Sequence, residues 1–163
     1  MIYTRLVFTR NLIFSLFGFV FGSMPFSQAS AQGNCSAEMS RRAESLLVDA
    51  RGNWFSLVKH QQTFASCDDG ALGEGYSDAV VHLFAQEWNQ FVIFVDIAKK
   101  NKNFKRWAIQ HVDATTSDED LKKIVLNTKD CGSEAEAVSL CKAIQQAAAS
   151  ALVESGNATV NQK

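Results

Sequence analysis

Proline is almost missing from this chain of 163 residues, which contains one, Pro25. Nothing after residue 25 therefore carries the residue that breaks helices and fixes turns. Glycine is also scarce, at nine. No acid occurs before Glu38, and no G-x-S-x-G elbow, phosphate loop or G-x-G-x-x-G run is present. Those gaps remove the usual local signatures of nucleophilic hydrolases and nucleotide-binding folds. The four cysteines, Cys35, Cys67, Cys131 and Cys141, lack C-x-x-C spacing, which argues against a thiolate zinc site or a redox pair. No apolar run reaches the ~20 residues that a membrane-spanning helix needs.

What is present begins with an address. Arg5 and Arg10 precede the apolar run Leu12–Phe21, and Ala29-Ser30-Ala31 supplies small residues at the positions a signal peptidase reads. Residues 1–31 are expected to be a cleaved secretory signal, releasing a chain of about 132 residues to the periplasm or beyond. Cys35 follows Gln32-Gly33-Asn34, which is no lipoprotein box. The expected mature chain keeps 14 of the 16 basic residues and all 17 acids, a formal charge of −3. That charge gives no reason to expect nucleic acid or an anionic membrane as partner. Four cysteines in an oxidising compartment predict two disulfides.

The rest reads as helix. Ser36 caps a first helix with apolar positions Ala43, Leu46, Leu47 and Ala50, and Gly52 closes it. Asn53 starts a second, carrying Trp54, Phe55, Leu57, Val58 and Phe64. Two antiparallel helices of similar length bring Cys35 to Cys67, the favoured pairing, with Cys131–Cys141 as the second bridge. The crossed pairing Cys35–Cys141 with Cys67–Cys131 stays open. Leu72, Tyr76, Val80, Leu83 and Phe84 continue a helix to about Trp88, with Gly73 and Gly75 tolerated where a neighbouring backbone packs closely. Phe91–Val95 suits a strand or a helix. No partner strand of similar quality exists, so a fully buried helix over roughly 89–100 is expected. Further helices follow around Phe104–Val112, after Thr115–Asp120, and from Ser133 to a stop at Gly156. The expectation is a single all-α bundle over 32–155 of six or seven short helices stapled by two disulfides, with a disordered tail over 156–163.

Three groups of side chains invite chemistry. Glu74, Asp78 and His82, spaced four and four, form a stripe on one helix face that could hold a metal or act as acid and base. The plainer reading, a solvated face, is preferred, and neither metal nor other cofactor is expected. His111 and Asp113 read as a helix-end cap, and His60, among Lys59, Gln61 and Gln62, as plain surface. Lys99, Lys100, Lys102, Lys105 and Arg106, interleaved with Phe104 and Trp107, form the one basic patch, read as solvated with the aromatics turned inward.

The run Cys67–Ala79 (CDDGALGEGYSDA), followed by His111–Thr115 (HVDAT), resembles small exported bacterial proteins of unknown function, over about residues 60–145. That resemblance implies export and a helical build, and no activity. The functional expectation is a non-catalytic binding protein, inhibitor- or immunity-like toward another exported protein. The alternatives are a hydrolase or metal-dependent enzyme using Glu74, Asp78 and His82, and a helical carrier whose apolar cavity is lined by Trp88, Phe91, Phe94 and Trp107.

Overall fold

The computed structural model describes residues 35–156, so the signal and tail assignments lie outside the described residues except at Gly156. The described residues form seven α-helices and no strand: α1 (Ala37–Ala50), α2 (Trp54–Phe64), α3 (Gly70–Ala85), α4 (Phe91–Lys100), α5 (Lys102–Gln110), α6 (Asp118–Asn127) and α7 (Ala135–Glu154). Short 3-10 turns, Ala65–Cys67 and Trp88–Gln90, precede α3 and α4.

Short polar side chains set the boundaries. The Ser36 hydroxyl accepts from the Met39 amide at 3.1 Å, and Asn53 accepts from Ser56 at 2.9 Å. Each answers an amide that a helix start leaves unpaired. Asn101 both ends α4 and caps α5, accepting from the Phe104 amide at 3.0 Å. Gly156 at φ +77° closes α7 in the left-handed conformation that suits glycine. Gly52 does not play that part at α1; the helix ends on Arg51 in right-handed geometry.

Both favoured disulfides are present. Cys35–Cys67 joins the far ends of the α1–α2 hairpin, and Cys131–Cys141 ties the α6–α7 loop to α7. Helix α3 packs against α1 and α6, while α7 packs against α4, α5 and α6. At the centre, the fully buried Trp54 ring lies 4.7 Å from Phe84 and 4.6 Å from Phe94, with Phe104 edge-on at 6.3 Å. Its indole N–H has no hydrogen-bond partner among the described residues. That omission costs on the order of 1–3 kcal/mol, which burying so large a ring offsets.

Phe91–Val95 is helical, but not buried all round. Phe91, Phe94 and Val95 face the core, whereas Val92 is 64 % exposed. Leu46, one of the apolar positions read for the first helix, is likewise exposed, as are Phe55 of α2 and Val138 of α7. The close neighbour at Gly75 is a side chain rather than a backbone: a Cβ there would meet Leu47 Cδ2 at 2.8 Å. Glycine at 75 thus lets α1 seat its leucine against α3.

Candidate functional sites

Two concave regions stand out, one polar and one apolar. The polar one forms where the loop before α3 meets the end of α5. Asp68 follows Cys67, so the Cys35–Cys67 bridge anchors its backbone. Trp107 Nε1 donates to Asp68 Oδ2 at 2.6 Å, and His111 Nε2 stands 3.2 Å from the same oxygen. On the other side of the ring, His111 Nδ1 is 3.0 Å from Ser77 Oγ, which donates to Asp113 Oδ2 at 2.7 Å. Thr115 completes Asp113 with its amide at 2.9 Å and its hydroxyl at 2.5 Å. Burial alone would raise the Asp68 pKa, but hydrogen bonds from His111 and Trp107, with the His111 charge, bring it below the ordinary value. Burial likewise opposes ionisation of Asp113, and the Thr115 and Ser77 hydrogen bonds more than offset it.

The order Ser77–His111–Asp68 has the connectivity of a nucleophile, a base and an orienting acid. Its geometry does not suit acyl transfer. Ser77 is 2 % exposed and lies mid-helix, where its own amide belongs to the α3 ladder and is not free to receive an oxyanion. Its single proton is also contested: when it serves Asp113, Nδ1 of His111 must be the donor. The constellation is a clasp joining α3 to the end of α5 and to the loop after Cys67. It floors an open depression of about 370 Å³ edged by Asp69, Gly73 and Glu74.

The expected stripe does not gather into one site. Glu74 borders this depression, exposed Asp78 pairs at 2.7 Å with Arg51, the residue that closes α1, and His82 lies a further turn along α3. Among the described residues no three His, Cys, Asp or Glu side chains form a metal-holding group. His60, expected at the surface, is instead 6 % exposed. Its Nε2 meets the Ala43 carbonyl at 2.9 Å and its Nδ1 the Tyr76 hydroxyl at 2.9 Å, which joins α1, α2 and α3. Nε2 must donate to the carbonyl, so Nδ1 accepts from Tyr76. Burial lowers the His60 pKa against the smaller opposing effect of the Ala43 bond. Burial first, and then the Asp68 charge, raise that of Tyr76.

The apolar region is a groove of about 490 Å³ between the start of α4 and the α6–α7 loop. Trp88 stacks on Phe91 with centroids 4.4 Å apart and planes within 7°. Val92, Val95 and Ala137 extend the apolar lining, and Cys131 of the second disulfide forms part of the opposite wall. Two of the four aromatics expected to line a ligand cavity are therefore here. Phe94 is fully buried against Trp54, and Trp107 belongs to the Asp68 clasp. The basic patch is partly neutralised: Lys99 meets Glu134 at 2.5 Å and Lys105 meets Glu136 at 3.3 Å, with Phe104 buried beneath.

Searches against family models, curated proteins and solved structures find no match to this chain.

Proposed function

We propose that this protein is an exported, non-catalytic binding protein that acts on another exported protein, in the manner of an inhibitor or immunity factor. The groove beside the Trp88–Phe91 stack carries the reading: it is a concavity in which partly exposed Trp88 and exposed Val92 stand over a floor of buried Phe91, Val95 and Ala137, and an open aromatic in a concave setting is the usual makeup of an interaction hot spot. Export is supported by the leading pattern of residues 1–31, and by two disulfides with no free cysteine among the described residues, since such bridges persist in oxidising compartments. No helix among the described residues is long and apolar enough to cross a membrane. Against an enzyme stand the inaccessible Ser77 and the dispersal of Glu74, Asp78 and His82.

The test is a paired capture from the exported fraction of the source cells, with wild type and Val92→Lys as baits. A protein retained in stoichiometric amount by wild type and lost by Val92→Lys is expected. Equal capture by both baits, together with hydrolytic turnover that disappears in Ser77→Ala, would overturn the reading in favour of an enzyme.

A further inference from the structure

Resting on that binding-protein reading, we propose that the Trp88–Phe91 groove receives a segment of the partner protein in which a lysine or arginine adjoins a bulky apolar side chain. Two side chains supply the apolar half of the match: partly exposed Trp88 and exposed Val92, backed by buried Phe91 and Val95, give an anchor side chain a surface on which to leave water. The volume, about 490 Å³, suits one large side chain with its flanks. The mouth supplies the charge. None of the twelve lining residues is basic, and three are acidic: Asp96, Asp130 and Glu134. Lys99 reaches Glu134 at 2.5 Å and Asp96 at 3.8 Å, while Asp130 has no ion-pair partner among the described residues. Three carboxylates against one ammonium leave the mouth two charges negative. Helix α7 starts at this edge, and its dipole would favour an anion, but Glu134 and Glu136 already answer it. A cation entering beside Trp88 would also gain from the indole face. A second copy of this chain fits poorly, because a two-fold contact centred on the groove would set these acids against their own counterparts.

The experiment records nuclear magnetic resonance spectra of the purified protein during titration with three blocked pentapeptides and with decanoate. The peptides carry phenylalanine between two lysines, phenylalanine between two glutamates, and alanine between two lysines. The three tryptophan indoles report separately on the groove (Trp88), the clasp (Trp107) and the core (Trp54). The lysine–phenylalanine peptide should shift the Trp88 indole and the Val92 amide, binding roughly tenfold tighter than the other two peptides. Val92→Lys and Asp130→Lys should each abolish that preference, with the Trp54 signal in place to show an intact core. Equal binding of the glutamate peptide at Trp88 would overturn the basic-partner inference and leave the binding reading standing. So would the absence of any peptide shift at Trp88 while the capture experiment still yields a Val92-dependent partner. Tighter binding of decanoate than of any peptide would overturn both in favour of a carrier. A response at Trp107 instead of Trp88 would move recognition to the Asp68 depression and overturn the inference.

Discussion

At the Asp68 depression, the polar groups that converge are engaged by other parts of the same chain: Asp68 by Trp107 and His111, Ser77 by His111 and Asp113, and Asp113 by Thr115. Along the Trp88–Phe91 groove the opposite holds: the described residues leave Val92 exposed and Trp88 partly exposed above the buried Phe91. Each region is held by its own disulfide, Cys67 preceding Asp68 and Cys131 walling the groove. The contrast separates two uses of a concavity. A polar cluster whose hydrogen bonds are internally filled stabilises the fold, whereas an unfilled apolar cleft is stabilised only when something else enters it.

The largest effects should come from the bridges. In the chain-entropy account, removing Cys35–Cys67, which spans 32 residues, costs about 4 kcal/mol, and removing Cys131–Cys141, which spans 10, costs about 3. Urea unfolding of Cys35→Ser/Cys67→Ser and Cys131→Ser/Cys141→Ser would measure both. The first pair should loosen the clasp and the second the groove wall, seen at the Trp107 and Trp88 indoles respectively. Similar responses at both indoles in both variants would break the division into two separately held regions.

The clasp comes next. Ser77→Ala removes one partner from His111 and one from Asp113 in a largely buried setting, and should cost about 1–3 kcal/mol. A change below 0.5 kcal/mol, the usual effect of surface substitutions, would show that the cluster does not act as a structural lock.

Acid should act in two stages, because the groups involved have depressed folded pKa values. For His60, the unfolded chain takes up a proton below its ordinary pKa of ~6.5 before the folded protein does, so stability falls as pH drops through that region. For Asp68 and Asp113, the stabilisation is fully present above the ordinary carboxylate pKa of ~4 and is lost as pH falls through their lower folded values. Denaturant midpoints from pH 7 to pH 3 should therefore decline in two steps. His60→Phe should flatten the upper step, and Asp113→Asn should weaken the lower. An upper step that persists unchanged in His60→Phe would rule out that assignment.

The smallest effect is expected at Asp78. Its ion pair with Arg51 is exposed on both sides, so Asp78→Ala should change stability by less than about 0.5 kcal/mol in calorimetry, with or without added divalent ions. A divalent ion that stabilises wild type but not Asp78→Ala would restore the acidic stripe as a site.

The helical build is legible in the sequence because helix signals are local. Ser36, Asn53 and Asn101 lie within three residues of the amides they cap, and the 11 residues of α2 with the turn Ala65–Cys67 run back along the 14 of α1 to bring Cys67 to Cys35. The clasp is not legible there, since its links join residues 34 to 43 positions apart. His60 escapes a sequence reading for the same reason: its sequence neighbours are polar, while its partners Ala43 and Tyr76 come from other helices. The clasp draws Asp68 and Ser77 from one stretch of sequence and His111 and Asp113 from another, and only the packing of α3 against the end of α5 brings the two together. For the groove, Val92 marks the limit of composition: the run Phe91–Val95 is uniformly apolar, and only the packing of α4 decides which residue is left outside.

The most direct measurement is titration of the lysine–phenylalanine peptide against wild type, Ser77→Ala and Val92→Lys in parallel, read at the Trp88 indole. If the clasp stabilises and the groove binds, Ser77→Ala should retain wild-type affinity despite its lower stability, and Val92→Lys should lose binding by roughly tenfold or more at unchanged stability. Loss of binding in Ser77→Ala with retention in Val92→Lys would contradict the account.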